Sequence, residues 1–594
     1  MATNDQAVHD FWEGCESGSE APSEPVARAL RAAHDAVLRL ELDAAREALD
    51  QSQSALGVGP WEDIRALLVL RVRIAGAKRD EVEAARQSLA TFAASPDLDR
   101  ATAARAHHQM AVASIRAGDL LPAEEHLLQA LDGMTGVGRV WVLDGMGQVL
   151  RGLGAFREAR RTWTAVLDRK RSSGDALGVA ITAGNLARLE FELDNVQAAA
   201  ALSRDILTRH TAELPLYTTM RHRTLLLEAL VTSSQDSQEL ASVRDALARE
   251  HSEASVGHPL RGYAAVALAR AAARLGQGGV TELLDEAQEA LSYDAQRGLV
   301  EYWRRELVAS TETQEAWFER VRPHFDASPM VFEPEVRAYV RTAEAAARRG
   351  DLFRARALLE SADARVEASN NPGLRHLLDE SAVRIDPAGM PERLIRRYAG
   401  ADMTSLAETR RVDNTIVFAD LVSFTQRSNE LTPEEVMDTA RSVFELSSEV
   451  LKRHANMPLS YLGDGLLAHA TGPDHGPRGV AFACDFTKRC DNVTRVRQAL
   501  WGDEPLPLRF QMNVRCGVAT GPVVLGTLGS LAKLEFAAIG MTTNRAARLQ
   551  GQAEPNQVVA DAAIGGTWMA SATRESYRLK GIDGDVEAGR IQVV

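Results

Sequence analysis

From about residue 25 to about residue 385, apolar side chains recur every three or four positions in segments rich in Ala, Leu, Arg and Glu, with almost no polar–apolar alternation. That period gathers the apolar groups on one stripe of an α-helix, so the region is predicted to be all-helical. One local pattern recurs within it: a small or turn-forming residue, a hydrophobe two positions on and an alanine five positions on. Gly118-Asp119-Leu120 leads to Ala123, Gly154-Ala155-Phe156 to Ala159, and Gly350-Asp351-Leu352 to Ala355. Asp194-Asn195-Val196 with Ala199 lies between them, and a poorer copy, Leu40-Glu41-Leu42 with Ala45, lies upstream. The turn residue would end one helix, and the alanine would let the next pack closely.

Neighbouring copies from Gly118 onward fall 36 and 40 positions apart. This is close to the ~34-residue period of tetratricopeptide repeats, which the pattern resembles in a degenerate form. Residues 25–385 are therefore expected to form a helical-repeat solenoid, with an irregular helical bundle as the alternative. The acidic, Ser/Pro-bearing residues 1–24 are expected to be disordered. The helical region shows no catalytic constellation; His107 and His108 are adjacent and so face apart on a helix.

The pattern changes near Asp386. Residues 386–413 are polar with Pro and Gly and read as a helical linker. Strand signals follow in TIVFADL, LSYLGDGLLAHA and FQMNVRCGVATGPVVLG, with helical stretches between them. Thr432-Pro433-Glu434-Glu435 is a helix start, with Thr as N-cap, Pro at the first helical position and Glu three residues after the cap. Residues 414–594 are predicted to be an α+β domain.

Composition narrows the possibilities. A chain of 594 residues is too long for one core, and 45% hydrophobic with 25% charged residues is a folded, water-compatible mixture. The formal charge of −14 argues against nucleic acid as the main partner. Cys15, Cys484, Cys490 and Cys516 have no paired metal-ligand spacing, which fits a reducing compartment. Neither a secretory leader nor an apolar run of about 18 residues appears, so a cytoplasmic protein without membrane contact is expected.

The candidate chemistry lies in the second part. Asp420 follows the apolar strand Thr415-Ile416-Val417-Phe418 and precedes a turn, Leu421 to Thr425. A strand-end carboxylate followed by turn amides can hold a divalent cation and phosphate oxygens together. A second carboxylate, Asp464, sits between glycines at a hairpin tip. The order of the two, with a capped helix between them, resembles the catalytic domain of class III nucleotide cyclases.

The resemblance continues in Arg515-Cys516-Gly517-Val518-Ala519-Thr520-Gly521-Pro522-Val523-Val524-Leu525-Gly526, similar to that family's glycine-punctuated hairpin. It extends to Leu534–Leu549, similar to its late strand-to-helix segment. It implies a ferredoxin-like βαββαβ domain active as a head-to-tail homodimer on a nucleoside triphosphate. Asp420, Asp464 and the Leu421 carbonyl would hold two magnesium or manganese ions. Ser423, Phe424 and Thr425 would form the phosphate-side turn and Lys580 would bind the triphosphate. Asn544 and Arg548 would act from the other protomer; their spacing puts them on one helix face.

Two base-reading positions depart from the family pattern: Ser460 and Ala537 stand where a Lys and an Asp or Thr are usual, and alanine offers no polar group. Met541 also replaces an acid. Three readings stay open: an adenylyl cyclase with an atypical pocket, a cyclase for GTP or a pyrimidine nucleotide, or a catalytically silent dimerising scaffold. Both aspartates, the Asn, the Arg and the Lys are present, and a silent fold would need none of them. Phe418 and Phe424 read as core aromatics, Cys516 as a buried small hydrophobe and Arg545 as solvent-facing. Glu535 shares a strand face with Ala537. The solenoid is expected to take a protein or peptide ligand that regulates the domain.

Overall fold

The computed structural model describes Ala7, Asp10–Trp12, Cys15 and residues 24–593, except 39–41, 54–60, 77–78, 97, 234–235, 257, 292–293, 327–332, 370, 387–409, 423, 425–427, 429, 455–458, 463–464 and 531–532. It divides into two compact units, Met1–Ser310 and Thr311–Val594. The division falls well before the boundary expected at 385.

The first unit is built of helical hairpins, and the recurrent sequence pattern marks their corners. Arg100–Ala117 turns into Leu120–Gly133, Gly136–Gly152 into Phe156–Ser173, and Ala176–Glu192 into Val196–Arg209. Gly118, Gly154 and Asp194 take the left-handed conformation at these corners, with φ of 91°, 85° and 64°. Only Asp194 carries a side chain there, a strain of about 1–2 kcal/mol. Ala123, Ala159 and Ala199, five positions on, are fully buried where the second helix meets the first. In the second unit Gly350 (φ 83°) and buried Ala355 repeat the device between Glu333–Arg348 and Leu352–Ser369. Among the described residues no helix is long and apolar enough to cross a membrane.

Most of residues 1–24, expected to be disordered, lie outside the described residues, but three of the few described there are seated in the core. Phe11, Trp12 and Cys15 are buried among Leu30, Ala33 and Ile64. The Trp12 indole donates to the Thr102 hydroxyl at 3.4 Å, and the Arg105 guanidinium stacks 4.7 Å over its ring. An aromatic pair is enough to seat a segment whose polar neighbours suggest none.

In the second unit, β1 (Arg410–Leu421), α1 (Pro433–Arg453), β2 (Leu459–Leu462), β3 (Gly465–Ala470), α2 (His475–Trp501) and β4 (Val514–Ser530) form the expected βαββαβ core. β5 (Lys533–Ile539), α3 (Met541–Gln550), β6 (Gln557–Asp561), β7 (Thr573–Tyr577) and β8 (Val586–Gln592) extend it. The sheet order is β2-β3-β1-β4-β6-β8-β7, with β5 folded back on β4. β1 pairs antiparallel with both β3 and β4, and β6 joins β4 in parallel. The α1 start is a capping box: the Glu435 amide donates to the Thr432 hydroxyl at 3.3 Å and the Thr432 amide to the Glu435 carboxylate at 2.8 Å.

β1 begins at Arg410, so the last four residues of the expected linker are strand, paired with Pro522–Leu525. Their polar composition hid this, because pairing rather than burial places them. The glycine-punctuated stretch Arg515–Gly526 likewise lies within one long strand; the reversal comes later, between β4 and β5, where Ser530 pairs Lys533.

Alternate β1 residues face opposite sides of the sheet. Thr415 and Val417 lie against Gly479 of α2, whereas Ile416 and Phe418 join the cluster containing Ala546 and Leu549 of α3. Asp420 continues the even series and so emerges on the α3 side. There α3 rests directly on β4: a Cβ at Gly517 would overlap the Gln550 nitrogen and the Ala546 carbonyl oxygen. Gly517→Ala is therefore expected to destabilise the second unit by about 3 kcal/mol or more, read from its denaturant midpoint.

Candidate active site

Asp420 ends β1 opposite Gly465 on one side and Arg515 on the other. Its side chain is 23% exposed, and Oδ2 accepts from Arg515 Nη2 at 3.1 Å and from Gln550 Nε2 at 3.4 Å. Both bonds fall on one oxygen, which leaves Oδ1 as a hard donor at the strand end, of the type magnesium and manganese take. Asp464 lies outside the described residues, but Gly465, its neighbour in sequence, is the residue directly across from Asp420. Leu421 is buried with its backbone paired to Val514. Among the described residues, which omit Asp464, no group of three or more His, Cys, Asp or Glu could hold a metal.

Arg515 was not singled out by sequence reasoning. It is 95 positions from Asp420 and meets it only through strand register. A strand assignment for the RCG stretch, paired back onto TIVFAD, was the signal that could have found it.

The helix α3 is anchored at its start, where the Thr542 hydroxyl donates to the Pro522 carbonyl at 3.0 Å and that of Thr543 to the Ala538 carbonyl at 2.8 Å. Thr542, Ala546, Leu549 and Gln550 are buried, whereas Met541, Asn544 and Arg548 are exposed. Arg548 and Gln550 are separated by about 200° around the helix. Gln550 reaches Asp420 of its own chain, so Asn544 and Arg548 point away from it. The apolar Val524, Ile539 and Met541 lie exposed on β4, β5 and the start of α3, beside this face.

Arg545 corrects an expectation. Instead of facing solvent, it pairs with buried Asp561 at 2.8 Å and donates to the Thr520 carbonyl, bracing α3 against β4 and β6. Asp561 also caps the following turn by accepting from the Ala563 amide.

Lys580 is exposed on a turn held by buried Leu579, whose carbonyl accepts from the Ile582 amide at 3.2 Å. Gly581 completes the turn at φ 78°. Ser460 is half-buried opposite Leu467, and Ala537 lies in β5 opposite Gly526. Phe424 is half-buried, with its carbonyl accepting from the Ser428 hydroxyl at 2.9 Å; Ser423 and Thr425 lie outside the described residues. Cys516 is buried, and burial pushes its thiol up to about 12.

Residues 407–583 match the profile of the adenylate and guanylate cyclase catalytic domain. Adenylate cyclase 1 of Rhizobium meliloti (strain 1021) is 28% identical over 162 residues, 27% of this chain and 24% of that protein. The receptor-type guanylate cyclase gcy-4 of Caenorhabditis elegans is 27% identical over 149 residues, 24% of this chain and 12% of that protein. An adenylate cyclase of Mycobacterium tuberculosis (strain H37Rv) is 26% identical over 169 residues, 28% of this chain and 36% of that protein. The chain thus spans only about an eighth to about a third of the length of these relatives. Among solved structures, the guanylyl cyclase Cya2 aligns at 24% identity and TM-score 0.28, over 31% of this chain and 93% of that one. The adenylyl cyclase CyaB from P. aeruginosa aligns at 20% identity and TM-score 0.28, over 31% and 95%. With the profile match spanning β1 to the Lys580 turn, this chain carries at residues 407–583 a catalytic domain of the class III adenylyl and guanylyl cyclase family.

Proposed function

We propose that the protein is a cytoplasmic nucleotide cyclase that converts ATP to its 3',5'-cyclic monophosphate and pyrophosphate, in a pocket shared by two copies of the chain. The observation that carries this reading is the orientation of α3. One face puts Gln550 on the chain's own Asp420, and the other leaves Asn544 and Arg548 exposed beside an apolar rim, where a second copy would present its own Asp420.

Asp420, Asp464 and the Leu421 carbonyl would hold two divalent cations, which supply a lowered pKa at the attacking hydroxyl and neutralise leaving-group charge. Arg515, one strand away, is released toward phosphate oxygens when the Asp420 carboxylate is engaged elsewhere. Asn544 orients the ribose so that its 3'-oxygen attacks the α-phosphorus in line with the departing pyrophosphate. Arg548 meets the negative charge that grows on the phosphoryl oxygens, and Lys580 holds the triphosphate. Ser423, Phe424 and Thr425 shape the phosphate side.

Adenine is favoured over guanine because Ser460 and Ala537 present no carboxylate for the donor-rich edge of guanine, whereas a serine hydroxyl can serve either a donor or an acceptor. Glu535, on the same β5 face as Ala537, is the residue that would support GTP instead. The helical hairpins would regulate the pocket through a protein or peptide ligand.

Incubating the full-length chain with each of the four nucleoside triphosphates and manganese tests this reading. Cyclic AMP and pyrophosphate in equal amounts are expected. Cyclic GMP as the main product would move base reading to Glu535, and no cyclic product from a folded sample would leave the domain as a scaffold.

A further inference from the structure

The two side-chain donors on Asp420 Oδ2 differ in kind. Arg515, at 3.1 Å, is a cation on β4 whose side chain is 35% exposed. Gln550, at 3.4 Å, is a neutral amide in the last turn of α3 and only 8% exposed. Gln550 is also fixed at its root: its backbone nitrogen and Cα lie directly on Gly517, where an added Cβ would overlap both. Gly517 pairs with Phe418, two positions before Asp420 on β1. The side chain therefore reaches from a backbone seated on the sheet to the end of the strand.

Glutamine is seldom so deeply buried, and packing alone would be served by an apolar side chain, as at the neighbouring Ala546 and Leu549. The buried amide is accounted for by what it bonds. An aspartate at a strand end turns easily about its last torsion, whose preferences are broad. A donor held against Oδ2 fixes the plane of the carboxylate and leaves Oδ1 forward. A guanidinium does this while offsetting the negative charge that a divalent cation needs, whereas an amide leaves that charge in place.

We propose, on the reading of Asp420 as a cation ligand, that Gln550 is a positioning residue: its amide holds the carboxylate with Oδ1 presented to a divalent cation, and keeps holding it when Arg515 turns to phosphate oxygens. Gln550 ends the ten-residue helix that carries Asn544 and Arg548 on its opposite face. One short element thus orients a carboxylate in one pocket and the amide and guanidinium offered to the other.

Manganese binding by the full-length chain without nucleotide, followed by loss of the free-ion electron paramagnetic resonance signal, tests this role. The difference between the parent and Asp420→Asn isolates the Asp420 site from scattered surface carboxylates. Gln550→Met keeps nearly the same length without the N–H group, and Gln550→Asn is one methylene too short to reach. Each is expected to weaken the isolated binding about tenfold or more, as loss of a group that orients a metal ligand does. In the Asp420→Asn background, Gln550→Met should change nothing further. With nucleotide present, the manganese concentration for half-maximal rate should rise by the same factor, while the rate at saturating manganese stays within about threefold of the parent. Thermal midpoints should stay within about 3 °C of the parent. If the parent and Asp420→Asn bind manganese alike, the reading of Asp420 as a cation ligand fails and the role of Gln550 goes with it. If they differ, the cation site stands, and the role of Gln550 alone is overturned by any of three results: parental binding in both Gln550 variants, an equal loss in the Asp420→Asn background, or midpoints that fall together with affinity in both variants.

Discussion

Asp420→Asn is expected to lower nucleotide cyclisation by about a thousandfold while the domain stays folded. Asparagine has nearly the volume of aspartate, and its carbonyl oxygen can still accept from Arg515 and Gln550, the two groups that bond Oδ2. What it loses is the negative charge and the second anionic oxygen at the end of β1, which the proposed cation site requires. The change in unfolding free energy is expected to stay within about 1.5 kcal/mol, since a charge-assisted bond becomes a neutral one. Initial rates of cyclic product over a range of manganese concentrations are the measurement. Activity within tenfold of the parent at saturating manganese would remove Asp420 from the site.

The second large effect separates a shared pocket from a self-contained one. Arg548→Ala should cost about two to three orders of magnitude, as loss of a donor aimed at transition-state charge does. Co-expressed with Asp420→Asn, it should recover about a quarter of parental activity, because half of randomly assembled two-fold dimers are mixed and each mixed dimer keeps one of its two pockets intact. If each chain formed its own pocket, the mixture would be as inactive as its components. The roughly half-turn between Gln550 and Arg548 on α3 favours recovery, since a helix that touches its own Asp420 with one face cannot offer the other face to the same carboxylate.

Features governed by local chemistry were readable from the chain. The left-handed corners at Gly118, Gly154, Asp194 and Gly350, the buried alanines after them, and the Thr432–Glu435 capping box each depend on a few consecutive residues. The alternation in Thr415–Asp420 likewise placed the aspartate at a strand end. Features set by distant pairing were not readable. Arg515 becomes a partner of Asp420 only through β1–β4 register, and Arg545 turns inward because Asp561, 16 positions later, returns on β6. The glycines of β4 read as turn formers; Gly517 is instead the bare surface on which a helix backbone rests. Phe11 and Trp12 were masked by polar neighbours, and their core lies on helices that follow.

With no side chains separating its backbone from the strand beneath Gly517, α3 cannot slide or roll independently of the sheet. Its outward amide and guanidinium therefore move as a fixed pair, aimed like two pins on one plate. In the proposed pocket shared by two copies, a tilt of one plate against its twin by a few degrees would realign both pins at once, so cyclisation there would be dimmed or brightened continuously without unfolding any part of it.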